Sequence, residues 1–291
     1  MVTRSLVGAF CLLTVACAQV PDVRLKFDVG VYGLIESDGH TSLHTYDLLG
    51  RPSTVSLTFF LESGLRAFAA QRFERLPGAG NADLLDELYV EDEGIWRVGK
   101  QYLPFGYGRL MAETATAGRG ESSIVIDGVP IVVGFCDNGQ GYQQGWVARI
   151  GTPGLNIYGA TGRSFGISGT ALTPFRRPQD APGVNRGYRT IIGLESTRKI
   201  GVGSLTAAVV TLRQPMVGKD SDLVVTDVVF VTRKFGVLSG QAGITYGSSP
   251  SAWLLRLGGS VGLDARSSFE PMIRFRNGRF FDLGVGVRFR F

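Results

Sequence analysis

Past residue 18 the chain has a single cysteine, Cys136, and only two histidines, His40 and His44, both in one early stretch. One thiol has no partner, so no intrachain disulfide can form. With no histidine near it in sequence, Cys136 also lacks the neighbour a catalytic thiol needs and reads as an inert strand-end residue. Long unbroken apolar runs are missing outside the N-terminus, although 44% of residues are hydrophobic. A helix that crosses a membrane needs about 18 or more such residues in a row, and no segment here has helical periodicity. Strong charge of one sign is missing too. The formal balance is +5, or +4 once Arg4 is set aside with the first 18 residues, far from a nucleic-acid footprint. His40-x-x-x-His44 has helical metal-ligand spacing in a loop-like stretch after Asp38-Gly39, so neither a metal nor another cofactor is expected. His40, His44, Ser42 and Asp47 can be assembled on paper into a hydrolase set. Crowding within one loop is not a triad, however, and no enzyme is expected. Gly201-Val202-Gly203 and Gly284-Val285-Gly286 have no helix after them and are not nucleotide loops.

What the chain does have is glycine, 41 residues of it, without a collagen period. Scattered through β-like sequence, glycine marks tight turns and crowded strands. At the N-terminus Arg4, the apolar run Leu6 to Ala16 and the small-residue site Ala16-Cys17-Ala18 form a signal peptide over 1–18, with cleavage before Gln19. An imperfect lipobox ending at Cys17 leaves lipidation as the alternative. The clearest pattern lies at the C-terminus. Phe281, Leu283, Val285, Val287, Phe289 and Phe291 alternate with Asp282, Gly284, Gly286, Arg288 and Arg290, which is a strand with one wholly apolar face. The same period of two recurs at Val23–Tyr32, Val55–Glu62, Trp253–Gly262 and Phe269–Arg276.

Short connections near 62–64, 91–94, 128–130, 151–154, 200–203, 234–236 and 263–266 alternate with candidate loops at 36–51, 76–83, 102–121, 137–142, 162–186, 213–221, 247–251 and 276–279. The alternation is strict if 122–136 is split into two strands at Gly128-Val129-Pro130. Eight loops and seven turns then join sixteen strands, with both termini on the short-turn side; a weaker middle would reduce the count to fourteen or twelve. Many strands in series with no helix, each with an apolar face, fit an all-β, antiparallel up-and-down transmembrane barrel over residues 19–291. Closure leaves no strand edge unpaired in lipid. A soluble sandwich would have to pair those apolar faces in a dry core.

Residues 84–106 contain Leu84-Leu85-Asp86-Glu87-Leu88-Tyr89-Val90 and then Trp96-Arg97-Val98-Gly99-Lys100-Gln101-Tyr102-Leu103-Pro104-Phe105-Gly106. This resembles the segment of general and phosphate-selective bacterial porins in which an acidic-aromatic strand turns into a strand ahead of the third long loop. Ser122–Gly128 looks like the strand that leaves that loop. Phe291 and Phe289 resemble the terminal signal read by the barrel-assembly machinery. The loop departs from the porin pattern in lacking an acidic cluster, with Glu113 and Glu121 alone, and the chain is shorter than its phosphate-selective counterparts.

The resemblance implies an outer-membrane location, surrounding lipid, no cofactor and a water-filled channel for passive diffusion of ions and small hydrophilic solutes. It also implies a homotrimer as one assembly, since porins of this type are often trimers. Carried over, 102–121 would be the constriction loop with charges Arg109, Glu113 and Arg119, faced by Arg66, Arg72, Arg97 and Lys100. The expected lumen faces hold 13 basic against 9 acidic residues, which points to a weak anion preference, or else to Arg–Glu ladders that stiffen the wall. The alternative function is a non-conducting barrel, an adhesin or scaffold, with the basic, glycine- and proline-rich stretch 162–186 as a surface loop.

Overall fold

In the computed structural model the described residues are 22–61, 64–75, 84–107, 110–112, 114–126, 129–137, 144–165, 188–213, 223–248 and 251–291. The signal peptide, Arg109, Glu113 and nearly all of 162–186 lie outside them. The strands are β1 (Asp22–Glu36), β2 (Thr41–His44), β3 (Thr54–Phe60), β4 (Leu65–Arg72), β5 (Leu85–Asp92) and β6 (Trp96–Tyr102). They continue as β7 (Thr114–Ile126), β8 (Val129–Asp137), β9 (Gln144–Thr152), β10 (Leu155–Phe165), β11 (Tyr188–Ile200) and β12 (Gly203–Arg213). The last five are β13 (Leu223–Thr232), β14 (Leu238–Ser248), β15 (Ser251–Gly262), β16 (Ser267–Arg276) and β17 (Arg279–Arg290).

Apart from β2 and β3, which do not pair with each other, consecutive strands pair antiparallel, and β17 returns to β1 from Asp28↔Arg290 to Glu36↔Asp282. The sheet is thus a closed barrel. Phe27 and Phe291 exchange two backbone hydrogen bonds, of 3.0 and 2.9 Å, and carry the seam to the last residue. β2 and β3 both pair with β1, at Tyr32–Ile35 and Asp22–Asp28. They are two halves of one stave, so seventeen strands make sixteen staves. The split of 122–136 is real, since β7 ends at Ile126 and β8 begins at Val129.

Two expected loops are tighter than their sequence suggests. Ser248 pairs with Ser251, and Asn277-Gly278 closes a two-residue hairpin with φ of 50° and 79°, the positive φ pair that matches strand twist. The loop at 102–121 is also shorter than expected, because residues from 114 onward already belong to β7.

Alternation decides which side chain meets which medium. On β11, Ile191, Gly193 and Glu195 are buried inside while Ile192 is 62% exposed outside. Val98, Trp146, Ile157 and Phe289 continue that apolar outer belt. Arg72, Asp86, Glu91, Glu195, Asp227, Arg256, Arg274, Asp282 and Arg288 are all buried inside, the reverse of a soluble protein. A bulge between Arg274 and Phe275 interrupts the terminal alternation. Phe281, expected on the lipid face, packs instead against the internal apolar cluster, with the Arg274 guanidinium 5.4 Å from its ring.

Candidate functional site: a lumen narrowed by two inward segments

The inner wall is of two kinds. Across β3–β6 and β13–β17 it carries arginine–carboxylate pairs. Arg66 and Arg97 both reach Glu91 through Nε, at 2.6 and 2.8 Å. Arg274 Nε donates to Asp282 at 2.7 Å, Arg288 pairs with Asp28, and Arg256 bonds Asp227 at 2.6 Å and Thr245 at 2.7 Å. These are the ladders that the near balance of charge allowed. Across β8–β12 and the start of β13 the inner wall carries an apolar patch instead, made by Val147, Ile191, Val210, Leu212, Leu223 and Val225.

That apolar wall receives the loop after β6. Leu103, Phe105, Leu110 and Met111 are all at most 5% exposed and belong to one cluster with it. The Phe105 ring meets Tyr158 and Phe165 edge-on at 6.3 and 5.7 Å. Burying such side chains contributes about 1.5–3 kcal/mol each toward docking the loop. A polar latch completes the docking. Arg149 donates to the Gly106 carbonyl at 3.0 Å and lies over the Tyr107 ring at 4.4 Å. The Tyr107 amide donates to Glu195 at 3.1 Å. Gly106 has φ +54°, and a Cβ there would lie 2.4 Å from the Glu195 carboxylate, so only glycine permits this approach.

A second segment, 45–53, leaves the wall between β2 and β3 and also enters the lumen. It was expected as part of an external loop, 36–51. Ser53 pins its base, accepting from the Gly30 amide at 2.7 Å and donating to the Gly30 carbonyl at 3.0 Å. Asp47 folds its tip by accepting from the Leu49 and Arg51 amides, both at 2.9 Å. Arg51 then reaches Glu270 on β16, which also accepts from the Tyr32 hydroxyl at 2.8 Å. Burial alone would lower the Arg51 pKa, but the Asp47 and Glu270 carboxylates outweigh it and keep the guanidinium charged.

Between the two segments and the wall of β13–β17 lies a cavity of about 710 Å³. Its charged lining is Arg51, Arg119, Arg149 and Arg256 against Asp47, Asp227 and Glu270, four bases to three acids.

Of the expected constriction charges that lie among the described residues, Arg119 alone lines this cavity, together with Arg149 and Arg256 from the thirteen basic positions expected on the lumen faces. Arg119 stands on β7 opposite Arg97, not in a loop. Arg66 and Arg97 converge on Glu91 beside the 93–95 turn, and Arg72 is buried with Asp86 and Tyr102. Lys100 pairs across the ladder with Leu88, which is 52% exposed on the outer face. One residue of parity separates it from the inward Arg97 and Gln101, and its ammonium group donates to the Leu85 carbonyl. Asp227 and Glu270 belong to the nine acidic residues expected on lumen faces and do line the cavity. The missed residues are Arg51, Asp47 as a lumen charge, and the apolar loop anchors. Only the run Leu103-Pro104-Phe105, apolar where a solvated loop would be polar, signalled any of them.

At the loop end of the barrel, Glu74 binds His44 at 2.6 Å and the Thr45 amide at 2.7 Å. Burial raises its pKa, but the bonds from His44 and Thr45 outweigh this and hold it below the ordinary carboxylate value of 4.5. A depressed carboxylate stabilises the fold above its unfolded pKa, and that contribution is lost as pH falls through the folded one. The protection factor of the Thr45 amide in hydrogen exchange should therefore be high at neutral pH and fall once acid protonates Glu74, and Glu74→Gln should remove that pH dependence.

No protein-family model and no curated protein sequence matches the chain. Solved structures do match it in fold. An anion-selective porin from Comamonas acidovorans, 14% identical, aligns over 94% of this chain and 100% of its own with a TM-score of 0.60. OmpT of Vibrio cholerae in its trimer form, 9% identical, covers the same shares with a TM-score of 0.60. Salmonella typhi OmpF, solved with daunomycin, is 10% identical over 93% of this chain and 98% of its own, with a TM-score of 0.60. The chain has the closed sixteen-stave barrel fold of the bacterial outer-membrane porins.

Proposed function

We propose that the protein is an outer-membrane porin, a water-filled channel through which ions and small hydrophilic solutes diffuse passively. The observation that carries this is the charged cavity left between two inward segments and the barrel wall. A scaffold barrel has no need of such a polar gap, whereas a channel needs a wet constriction whose charges bias entry. Four bases against three acids in that lining make the preference weakly anionic. Arg66, Arg72 and Arg97, each paired with a carboxylate, stiffen the wall in this reading rather than select ions. Arg109 and Glu113 add to the loop's charge. Residues 1–18 direct export and are removed, and Phe289 and Phe291 present the assembly signal. Homotrimers in the membrane are the assembly we favour, on the likeness to a barrel solved as a trimer.

The test is single-channel recording of refolded residues 19–291 in a planar bilayer under a salt gradient. Stable steps with a small anionic reversal potential are expected. Arg51→Glu turns four bases and three acids into three and four, so the reversal potential should change sign. A folded barrel that never conducts would transfer the protein to the adhesin or scaffold reading, with 103–112 as a plug.

A further inference from the structure

A hydrogen-bonded relay sits at the loop end of the barrel, off the cavity lining. Ser42 and His44 are two residues apart on β2, so they share a face. Their ladder partners are Leu34 and Tyr32, 8% and 1% exposed on the lumen side, while Leu43 between them is 72% exposed on the other. His44 Nε2 lies 2.9 Å from Ser42 Oγ, and Nδ1 lies 2.6 Å from Glu74 Oε1. The second Glu74 oxygen accepts from the Thr45 amide at 2.7 Å and the Thr45 hydroxyl at 3.2 Å. The Tyr46 ring stacks on the imidazole at 4.4 Å. An ionised carboxylate can only accept, so in the neutral imidazole Nδ1 carries the hydrogen and Nε2 accepts from the Ser42 hydroxyl. Bracing β2 to the segment after β4 would need only the Glu74 contacts. It would not need Nε2 aimed at a hydroxyl.

We propose that Ser42, His44 and Glu74 form a serine acyl-transfer site at the outer mouth of the barrel, acting on water-borne carboxylic esters. The lumen-side placement of Ser42 and His44 selects a dissolved ester over a lipid in the bilayer. Ser42 Oγ bonds to the ester carbonyl carbon as its proton passes to His44 Nε2. The carbon–alkoxy bond breaks, and the alcohol leaves with that proton. Water, deprotonated by Nε2, then attacks the acyl-serine, releasing a carboxylic acid and restoring Ser42. The sum is ester plus water giving acid plus alcohol. Ser42 and His44 touch the reacting atoms. Glu74 is a positioning residue that holds the tautomer and the imidazolium. The proposal does not depend on the channel reading, because conduction and acyl transfer use different residues.

A fluorophosphonate probe on refolded residues 19–291 in detergent tests it, with heat-modifiable migration checking the fold of every variant. One label per chain, mapped to Ser42 by peptide mass spectrometry, is expected, with none on Ser42→Ala. His44→Gln should slow labelling about 100-fold or more. Glu74→Gln should slow it and also move its pH profile, which loss of bracing alone would not do. A p-nitrophenyl acetate burst proportional to protein should vanish in Ser42→Ala. Where His44→Gln does not fold, carbethoxylation of the folded His40→Gln protein, whose one remaining histidine is His44, must abolish labelling. No label at Ser42 of the folded wild type, or a rate indifferent to loss of His44, overturns the proposal.

Discussion

Excising residues 103–112 behind a short glycine-serine bridge should raise single-channel conductance several-fold while leaving the barrel closed. Every stave is hydrogen-bonded to its neighbours without help from this loop. Removing the loop therefore deletes an obstruction and not a wall. The loop forms one side of the 710 Å³ cavity, so the gap would widen to the far wall of β8–β12. That wall is apolar through Val147, Ile191 and Leu212, and once uncovered it would be wetted poorly. The expected gain in conductance should thus come with more open-channel noise. A point test separates docking from mere presence. Phe105→Ser with Met111→Ser takes two fully buried anchors from the cluster at about 1.5–3 kcal/mol each. Large fluctuations between two conductance levels should follow. An unchanged conductance in the deletion variant would mean that the 45–53 segment alone sets the constriction.

The second large effect is on stability. Asp227→Ala should lower the urea midpoint for unfolding from detergent far more than Asp227→Ala with Arg256→Ala together. Arg256 and Asp227 expose only 4% and 2% of their side chains, so water cannot take the place of the lost carboxylate. Thr245 would remain as a weak partner at 2.7 Å. Leaving a buried guanidinium without its counter-charge costs about 3–5 kcal/mol, whereas removing both partners costs much less. In bilayers the single variant also leaves four bases facing two acids across the cavity, so its anion preference should strengthen. Equal midpoints for the single and double variants would show that the pair is hydrated.

Period two in the sequence by itself determined the barrel class, the number of staves and the face on which most strand side chains lie. Val285 and Arg288 differ in parity, and that alone puts one on the outer face and the other inside at 1% exposure. The Gly128-Val129-Pro130 break was enough to count sixteen staves. The same parity, applied strictly, would have turned Lys100 outward. A bulge defeats parity, because one extra residue reverses the faces beyond it. This is why Phe281 was assigned to lipid.

The tertiary structure decided everything that depends on what lies across the lumen. The 103–112 loop folds inward because Val147, Ile191 and Leu212, far apart in sequence, make an apolar inner wall that its own apolar residues can cover. The 45–53 segment enters because Arg51 finds Glu270, 219 residues away. Glu74, placed among the acidic lumen positions in sequence, meets His44 because residues 73–75, just after β4, lie beside β2. Local spacing encodes which way a side chain points. Which group it meets there is a property of closure, since closure brings opposite walls together and no sequence period reports on that distance.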